Sequence, residues 1–228
     1  MSTAWVAGSR GGIGSACMQA LAGAGFTVHG SDRPEEDITE PGVAEDVAAS
    51  LARGGGFSAA VFAIGMSGRR SGDGTVLECS DGGWDEVLRV DLTSAFYFAR
   101  AALRHISDGG SITLTGSALA RGLDRDFLTV AYRVAKAALV PLMEATAFEG
   151  AVRGVRVNIV APGLVHTPMA ARATSDQRIR ARFGELMPLT KRPSEAAEVA
   201  AAIRWLSGPD SAQTTGAVIP VDGGWLLR

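Results

Sequence analysis

Ala4-Trp5-Val6-Ala7-Gly8-Ser9-Arg10-Gly11-Gly12-Ile13-Gly14 opens the chain with a short apolar run that breaks into a glycine-rich turn. An Ala-rich amphipathic segment, 15–24, follows it. Strand, glycine turn and helix in that order aim backbone N–H groups and a helix N-terminus at a phosphate. The spacing Gly8-x-x-x-Gly12-x-Gly14 differs from the G-x-G-x-x-G fingerprint of many dinucleotide sites. The reading therefore rests on where the turn lies, between a first strand and a first helix, and the alternative is a tight turn with no ligand.

Outward from this turn the alternation continues. Residues 26–31 read as a second strand that closes on Asp32, 18 residues after Gly14. A carboxylate near this position accepts the ribose hydroxyls of an adenine nucleotide. Its charge repels a 2′-phosphate, so NAD is expected over NADP, with Arg10 and Arg33 close enough in sequence to blunt the preference. Asp37-Ile38-Thr39 reads as a very short third strand, although four residues after Asp32 are too few for a crossover helix. A helix over 43–51 and a turn at 53–56 lead to a buried strand, 58–64, that ends at Gly65. The Gly/Arg/Ser-rich loop 66–74 reads as solvated, Arg69 and Arg70 included.

Residues 80–105 carry the period of one long helix with Asp91 in its middle among apolar neighbours. The strand 110–115 delivers Ser117 at its carboxyl end, where open α/β sheets bind ligands. The next helix runs to about residue 152 and is expected to break or bend at Pro141, which lacks a donor. A strand over 155–161 enters Pro162-Gly163-Leu164-Val165-His166-Thr167. Residues 166–190 read as a polar lid rich in Arg172, Arg178, Arg180 and Arg182, with a solvated face. A helix over 195–206 and a strand over 217–221 complete the chain. The expected architecture is α/β: a single Rossmann-like, doubly wound parallel sheet flanked by helices, one domain over 1–228.

Composition narrows the function classes. Apolar residues make up 46% of the 228, enough for one sizeable core, and the net charge of −2 supplies no field for nucleic acid or an anionic membrane. Cys17 and Cys79 are too few for a disulfide framework, and no apolar run approaches the length of a membrane span. With no basic-then-apolar leader, the expected location is the cytoplasm. No glycine loop ends in Lys-Ser or Lys-Thr, which excludes a P-loop nucleotide hydrolase.

The chemistry converges on Val130-Ala131-Tyr132-Arg133-Val134-Ala135-Lys136. Residues four apart share one face of a helix, and an ammonium beside a phenol favours the phenolate. The chain has only 2 Tyr and 2 Lys, so chance supplies this spacing in about 2% of such chains.

With Gly8-x-x-x-Gly12-Ile13-Gly14, Ser117, Tyr132-x-x-x-Lys136 and Pro162-Gly163 in this order, the chain resembles the short-chain dehydrogenase/reductase family. The match extends to Val221-Asp222-Gly223-Gly224. The resemblance implies the strand order 3-2-1-4-5-6-7 and a homodimer or homotetramer built on the helices of Asp91 and Tyr132. It implies Tyr132 as general acid/base, Lys136 as the group that depresses its pKa and binds the nicotinamide ribose, and Ser117 as the group that polarises the substrate oxygen. The dinucleotide site it implies comprises Gly8, Ser9, Arg10, Gly12, Ile13, Gly14, Asp32 and Gly65. Asp37 and Ile38 match the pair that contacts adenine, and Pro162, Gly163, Val165 and Thr167 match the segment that orients the carboxamide. No metal is implied. The expected reaction interconverts a small-molecule secondary alcohol and a ketone with NAD. A nucleotide-binding regulatory protein is the alternative; an epimerase or dehydratase on this fold typically carries a different glycine spacing and a larger C-terminal substrate region, for which this chain has no room.

Three departures stand out, one of them a helix between the second and third strands that is nearly deleted. The family's Asn-Asn-Ala-Gly is replaced by Phe62-Ala63-Ile64-Gly65, and the Asn of its Val-Asn-x by Asp91 in Val90-Asp91-Leu92. That Asn normally helps hold a water linking the Lys to solvent. An ionised Asp91 is expected to keep the relay while leaving Tyr132 with a higher pKa.

Overall fold

The computed structural model describes residues 2–227. Six strands form one parallel sheet: β1 (Thr3–Ala7), β2 (Thr27–Ser31), β3 (Ala59–Phe62), β4 (Ser111–Thr115), β5 (Arg156–Pro162) and β6 (Val218–Val221), in the order β2-β1-β3-β4-β5-β6. Parallel strands need long crossovers, and helices supply them on both faces. The doubly wound sheet is as expected from sequence. The segment Asp37–Thr39 is a turn and adds no third strand at the edge. Its physical reason is local: the Asp37 carboxylate accepts both the Thr39 N–H (3.0 Å) and the Thr39 hydroxyl (2.7 Å), which closes the backbone on itself. The six strands present keep the family's order around β1.

Alternation along β1 sorts the two layers. Ala4 and Val6 face α1 (Gly12–Gly23) and α9 (Ala196–Ser207), where Cys17, Leu21, Val199 and Ile203 complete one core. Trp5 and Ala7 face the layer of α2 (Val43–Arg53), α4 (Ser94–His105) and α5 (Val130–Gly150). There Trp5 packs on Phe98 with ring centres 4.4 Å apart, and its indole N–H donates to the Ser31 hydroxyl at 2.8 Å. All four residues of β3 are buried, as a central parallel strand requires.

The long helix expected over 80–105 is continuous but not uniform. α3 (Asp81–Leu88), capped by the Ser80 hydroxyl, passes into α4 through a π-helical turn at Arg89–Thr93, and Asp91 sits in that turn. Single π turns of this kind recur at functional sites. α5 runs through Pro141 without interruption, because Leu139 and Met143 on either side are fully buried and hold the helix to the sheet. The segment read as a polar lid contains α6 (Ala171–Ser175), α7 (Gln177–Ala181) and α8 (Phe183–Leu186). These pack Ala173, Ile179 and Leu186 against Ala118, Phe127, Leu164 and Trp225. No helix among the described residues is long and apolar enough to cross a membrane.

Candidate active site

A cavity of about 550 Å³ opens at the carboxyl ends of β3, β4 and β5. Its walls include Ile13, Gly65, Ser117, Tyr132, Lys136, Pro162, Gly163, Val165 and Thr167, so residues from five separate stretches of sequence meet in one place. A second cavity of about 240 Å³ has Arg10, His29, Asp32, Glu35 and Glu36 in its walls, with Ser9 and Gly30. The glycine turn lies between the two.

The turn has the form that a phosphate needs. Gly8 takes a φ of +83°, and a Cβ on Gly14 would lie 1.9 Å from the Gly8 carbonyl oxygen. A Cβ on Gly12 would lie 2.6 Å from the Thr167 methyl carbon, which brings the segment after β5 against the turn. The N-terminus of α1 has no side-chain cap and no acidic residue in its first turn, so no side chain of the helix's own takes up its first backbone donors or opposes its positive dipole end. At the second cavity the Asp32 carboxylate accepts the backbone N–H groups of Arg10 and Arg33, both at 2.8 Å. Arg10, one of the two arginines near this carboxylate, pairs with Glu35 at 2.9 Å on the surface. Asp37 and Ile38 line neither cavity: the Asp37 side chain closes its own turn, and Ile38 is buried in the core beneath α2.

Tyr132 stands in the first turn of α5, and the start of that helix is held by Asp73. The Asp73 carboxylate accepts the N–H groups of Ala131 and Tyr132, both at 3.0 Å, and so satisfies two of the helix's orphan donors. Sequence reasoning missed Asp73, because no period or spacing links it to a helix start 57 residues away. One turn on, Lys136 is 3% exposed and pairs with Asp91, which is 0% exposed, at 3.0 Å. The ammonium also donates to the carbonyl oxygens of Ile64 (3.3 Å) and Thr115 (3.2 Å). The Met66 N–H donates to both Asp91 carboxylate oxygens. Gly65 is where it is because a Cβ there would lie 2.7 Å from Asp91 Oδ1 and 3.1 Å from Lys136 Nζ.

Tyr132 lines the cavity with its ring centre 5.8 Å from Lys136 Nζ. Burial raises its pKa, Lys136 pulls it down, Asp91 pushes it up, and the hydrogen-bonded Ser117 hydroxyl pulls it down; burial prevails. Burial also raises the Asp91 carboxyl, against the lowering by Lys136 and the Met66 N–H. Ser117 is buried at the end of β4, and its hydroxyl accepts the Leu119 N–H at 3.2 Å, leaving its proton for another acceptor. Gly163 lies under Asp222, whose Cα a Cβ on Gly163 would approach to 2.9 Å.

The arginines of residues 166–190 divide. Arg182 is paired with Asp124 (2.8 Å), with Asp126 and with Glu185, tying α7 and α8 to the loop before α5. Arg172, Arg178 and Arg180 are all exposed, and of these Arg172 also lines the cavity. Among the described residues no group of three or more His, Cys, Asp or Glu is placed to hold a metal ion.

Known proteins resemble the chain over most of its length. A family model described as enoyl-(acyl carrier protein) reductase matches residues 35–226. The chain is 35% identical to short-chain dehydrogenase/reductase ABA4 of Pyricularia oryzae over 75% of its own length and 64% of that protein's, so the match spans less than two thirds of this relative. It is 29% identical to D-beta-hydroxybutyrate dehydrogenase of Rhizobium meliloti over 99% of both chains. The structure of Thermoplasma acidophilum aldohexose dehydrogenase superposes on it with a TM-score of 0.86 at 25% identity, covering 100% of this chain and 94% of that one.

Proposed function

Because this chain belongs to the short-chain dehydrogenase/reductase family, we propose that it is an NAD(H)-dependent oxidoreductase interconverting a secondary alcohol and a ketone. The observation that carries this reading is the meeting of Ser117, Tyr132 and Lys136 on one cavity that opens to the glycine turn. The glycine cradle, the uncapped α1 N-terminus and the Asp32 carboxylate fit a dinucleotide. Asp32, with Glu35 and Glu36 beside it in the second cavity, supports NAD over NADP, since all three repel a 2′-phosphate. The bound nicotinamide supplies the hydride acceptor or donor.

The protein's own groups handle the proton and the orientation. The Ser117 hydroxyl donates to the substrate oxygen and fixes it beside Tyr132. In reduction the Tyr132 phenol gives its proton to that oxygen; in oxidation the phenolate removes one. The Lys136 ammonium makes the phenolate less costly, and Asp91 partly cancels that field while holding Lys136 in place. In the oxidative direction Tyr132 must be ionised, so with a raised pKa alcohol oxidation accelerates as the pH rises and ketone reduction does not. Exposed Phe96 on α4 and Phe148 on α5 support pairing of two chains through these helices.

One observation favours a second reading. Lys136 has its charge matched by Asp91, which suits a nucleotide-binding protein with little turnover. Absorbance of the reduced nicotinamide, followed with NAD and NADP over a panel of alcohols and ketones, decides. Turnover on any of them supports the enzyme; tight NAD binding without turnover supports the regulatory protein.

A further inference from the structure

Among the described residues the substrate cavity is lined by four cations, Arg69, Arg70, Lys136 and Arg172, and by no carboxylate. Lys136 is matched by Asp91. Arg69 and Arg172 are not matched in this way. They come from separate segments, Arg69 from a short turn at Arg69–Ser71 and Arg172 from α6, yet both donate to one acceptor, the Asp126 carbonyl oxygen, at 3.2 and 3.1 Å. No carboxylate among the described residues lies within ion-pair distance of either, although three surround Arg182 nearby. Asp73, whose charge acts on Arg69, is committed to the N–H groups of Ala131 and Tyr132.

Two guanidiniums converging on a neutral oxygen repel each other, and the repulsion adds to burial in lowering the Arg69 pKa. Each carries five N–H donors in a fork that suits an oxyanion. Their position separates them from the phosphate turn. Arg69 adjoins Gly68, where a Cβ would lie 2.6 Å from the Asp73 Cβ, and Asp73 holds the end of α5 that carries Tyr132. The Arg172 guanidinium lies 6.0 Å from the Phe127 ring centre, and Phe127 meets Trp225 edge-on at 5.1 Å. Beneath the cations the wall is therefore apolar, and Leu119 and Leu164 continue it.

Resting on the dehydrogenase reading, we propose that the substrate carries an anionic group, carboxylate or phosphate, on an apolar body, and that Arg69 and Arg172 hold this group at the Tyr132 end of the cavity.

The test compares short keto acids, their methyl esters, and ketones of the same length ending in a phosphate monoester. Each is assayed for oxidation of NADH and, by calorimetry, for binding to the protein with NADH present. The acid or the phosphate is expected to surpass the ester by about tenfold or more, as charge-assisted hydrogen bonds are worth. Whichever anion leads identifies the group. Arg69→Gln and Arg172→Gln should each lower that preference by about tenfold, and added salt should erode it. Thermal melts confirm that the variants fold. The proposal is overturned if neither anion exceeds the ester, which is the outcome for a merely solvated pair, or if the preference survives in the double variant. Binding with this preference but no NADH oxidation overturns the dehydrogenase reading alone. Turnover without charge preference overturns the anion site alone.

Discussion

Asp91→Asn keeps the shape of the side chain and removes one charge from the neighbourhood of Tyr132. Asp91 Oδ1 lies 3.0 Å from Lys136 Nζ, which lies 5.8 Å from the Tyr132 ring centre, so this oxygen is at most about 9 Å from the ring. At an effective dielectric of about 20, a unit charge at that distance disfavours the phenolate by about 2 kcal/mol. Removing it should raise the phenolate fraction roughly 25-fold at pH values below the titration of Tyr132. Asp91 pushes the Tyr132 pKa up, so its loss moves the acid limb of alcohol oxidation to lower pH. The same change leaves Lys136 buried without its counter-charge, a loss of about 3–5 kcal/mol in stability that urea unfolding measures. The assay is kcat/KM for alcohol oxidation across pH, in the native protein and the variant. An acid limb that stays in place contradicts the claim that Asp91 sets the field on Tyr132. A limb that moves to higher pH shows that Lys136 has lost its proton, and refutes the same reasoning.

Three further outcomes follow from the geometry. Gly65→Ala puts a Cβ 2.7 Å from Asp91 Oδ1 and must push the ion pair apart; it should change the pH profile and lower the melting temperature, while a silent Gly65→Ala would show that the pair tolerates displacement. Asp32→Ser removes the carboxylate that the Arg10 and Arg33 N–H groups hold, and the ratio of kcat/KM for NADP over NAD should rise by about tenfold or more, as loss of a charge-assisted contact and a repulsion allows. Glu198→Gln keeps an amide oxygen able to accept the Glu195 N–H in the capping box at the start of α9 and removes the charge that pairs with Arg192. The Glu198 pKa is lowered to about 2 on folding, so its stabilisation is present above the ordinary value near 4.5 and disappears as the pH falls toward 2. The variant should lose up to about 1 kcal/mol at neutral pH, discounted for exposure, and nothing near pH 2; an equal loss at both ends refutes the assignment.

Local signals made most of the sheet legible. The β1 alternation of Ala4 and Val6 against Trp5 and Ala7, and the Gly8–Gly14 turn, depend on neighbours in sequence, so their reading survives without coordinates. The π turn around Asp91 has no such signature: whether a helix widens there depends on the partner for Asp91, and Lys136 lies 45 residues downstream. Asp73 was invisible for the same reason, as a cap supplied from a distant loop. The arginines of α6 and α7 are alike in sequence, and only the positions of Asp124 and Asp126 separate Arg182, which fastens the segment, from Arg172, which lines the cavity. Asp37 misled because a carboxylate two residues before Thr39 makes its own turn in preference to a strand.

Tyr132→Phe tests the central claim most directly, since it deletes one oxygen and leaves the ring that lines the cavity. Calorimetric binding of NAD should stay within about twofold of the native value, while single-turnover hydride transfer falls by at least about a hundredfold, the usual contribution of a positioned acid/base group. Hydride transfer in Tyr132→Phe at close to the native rate, with its pH dependence unchanged, would contradict the assignment of the proton to Tyr132.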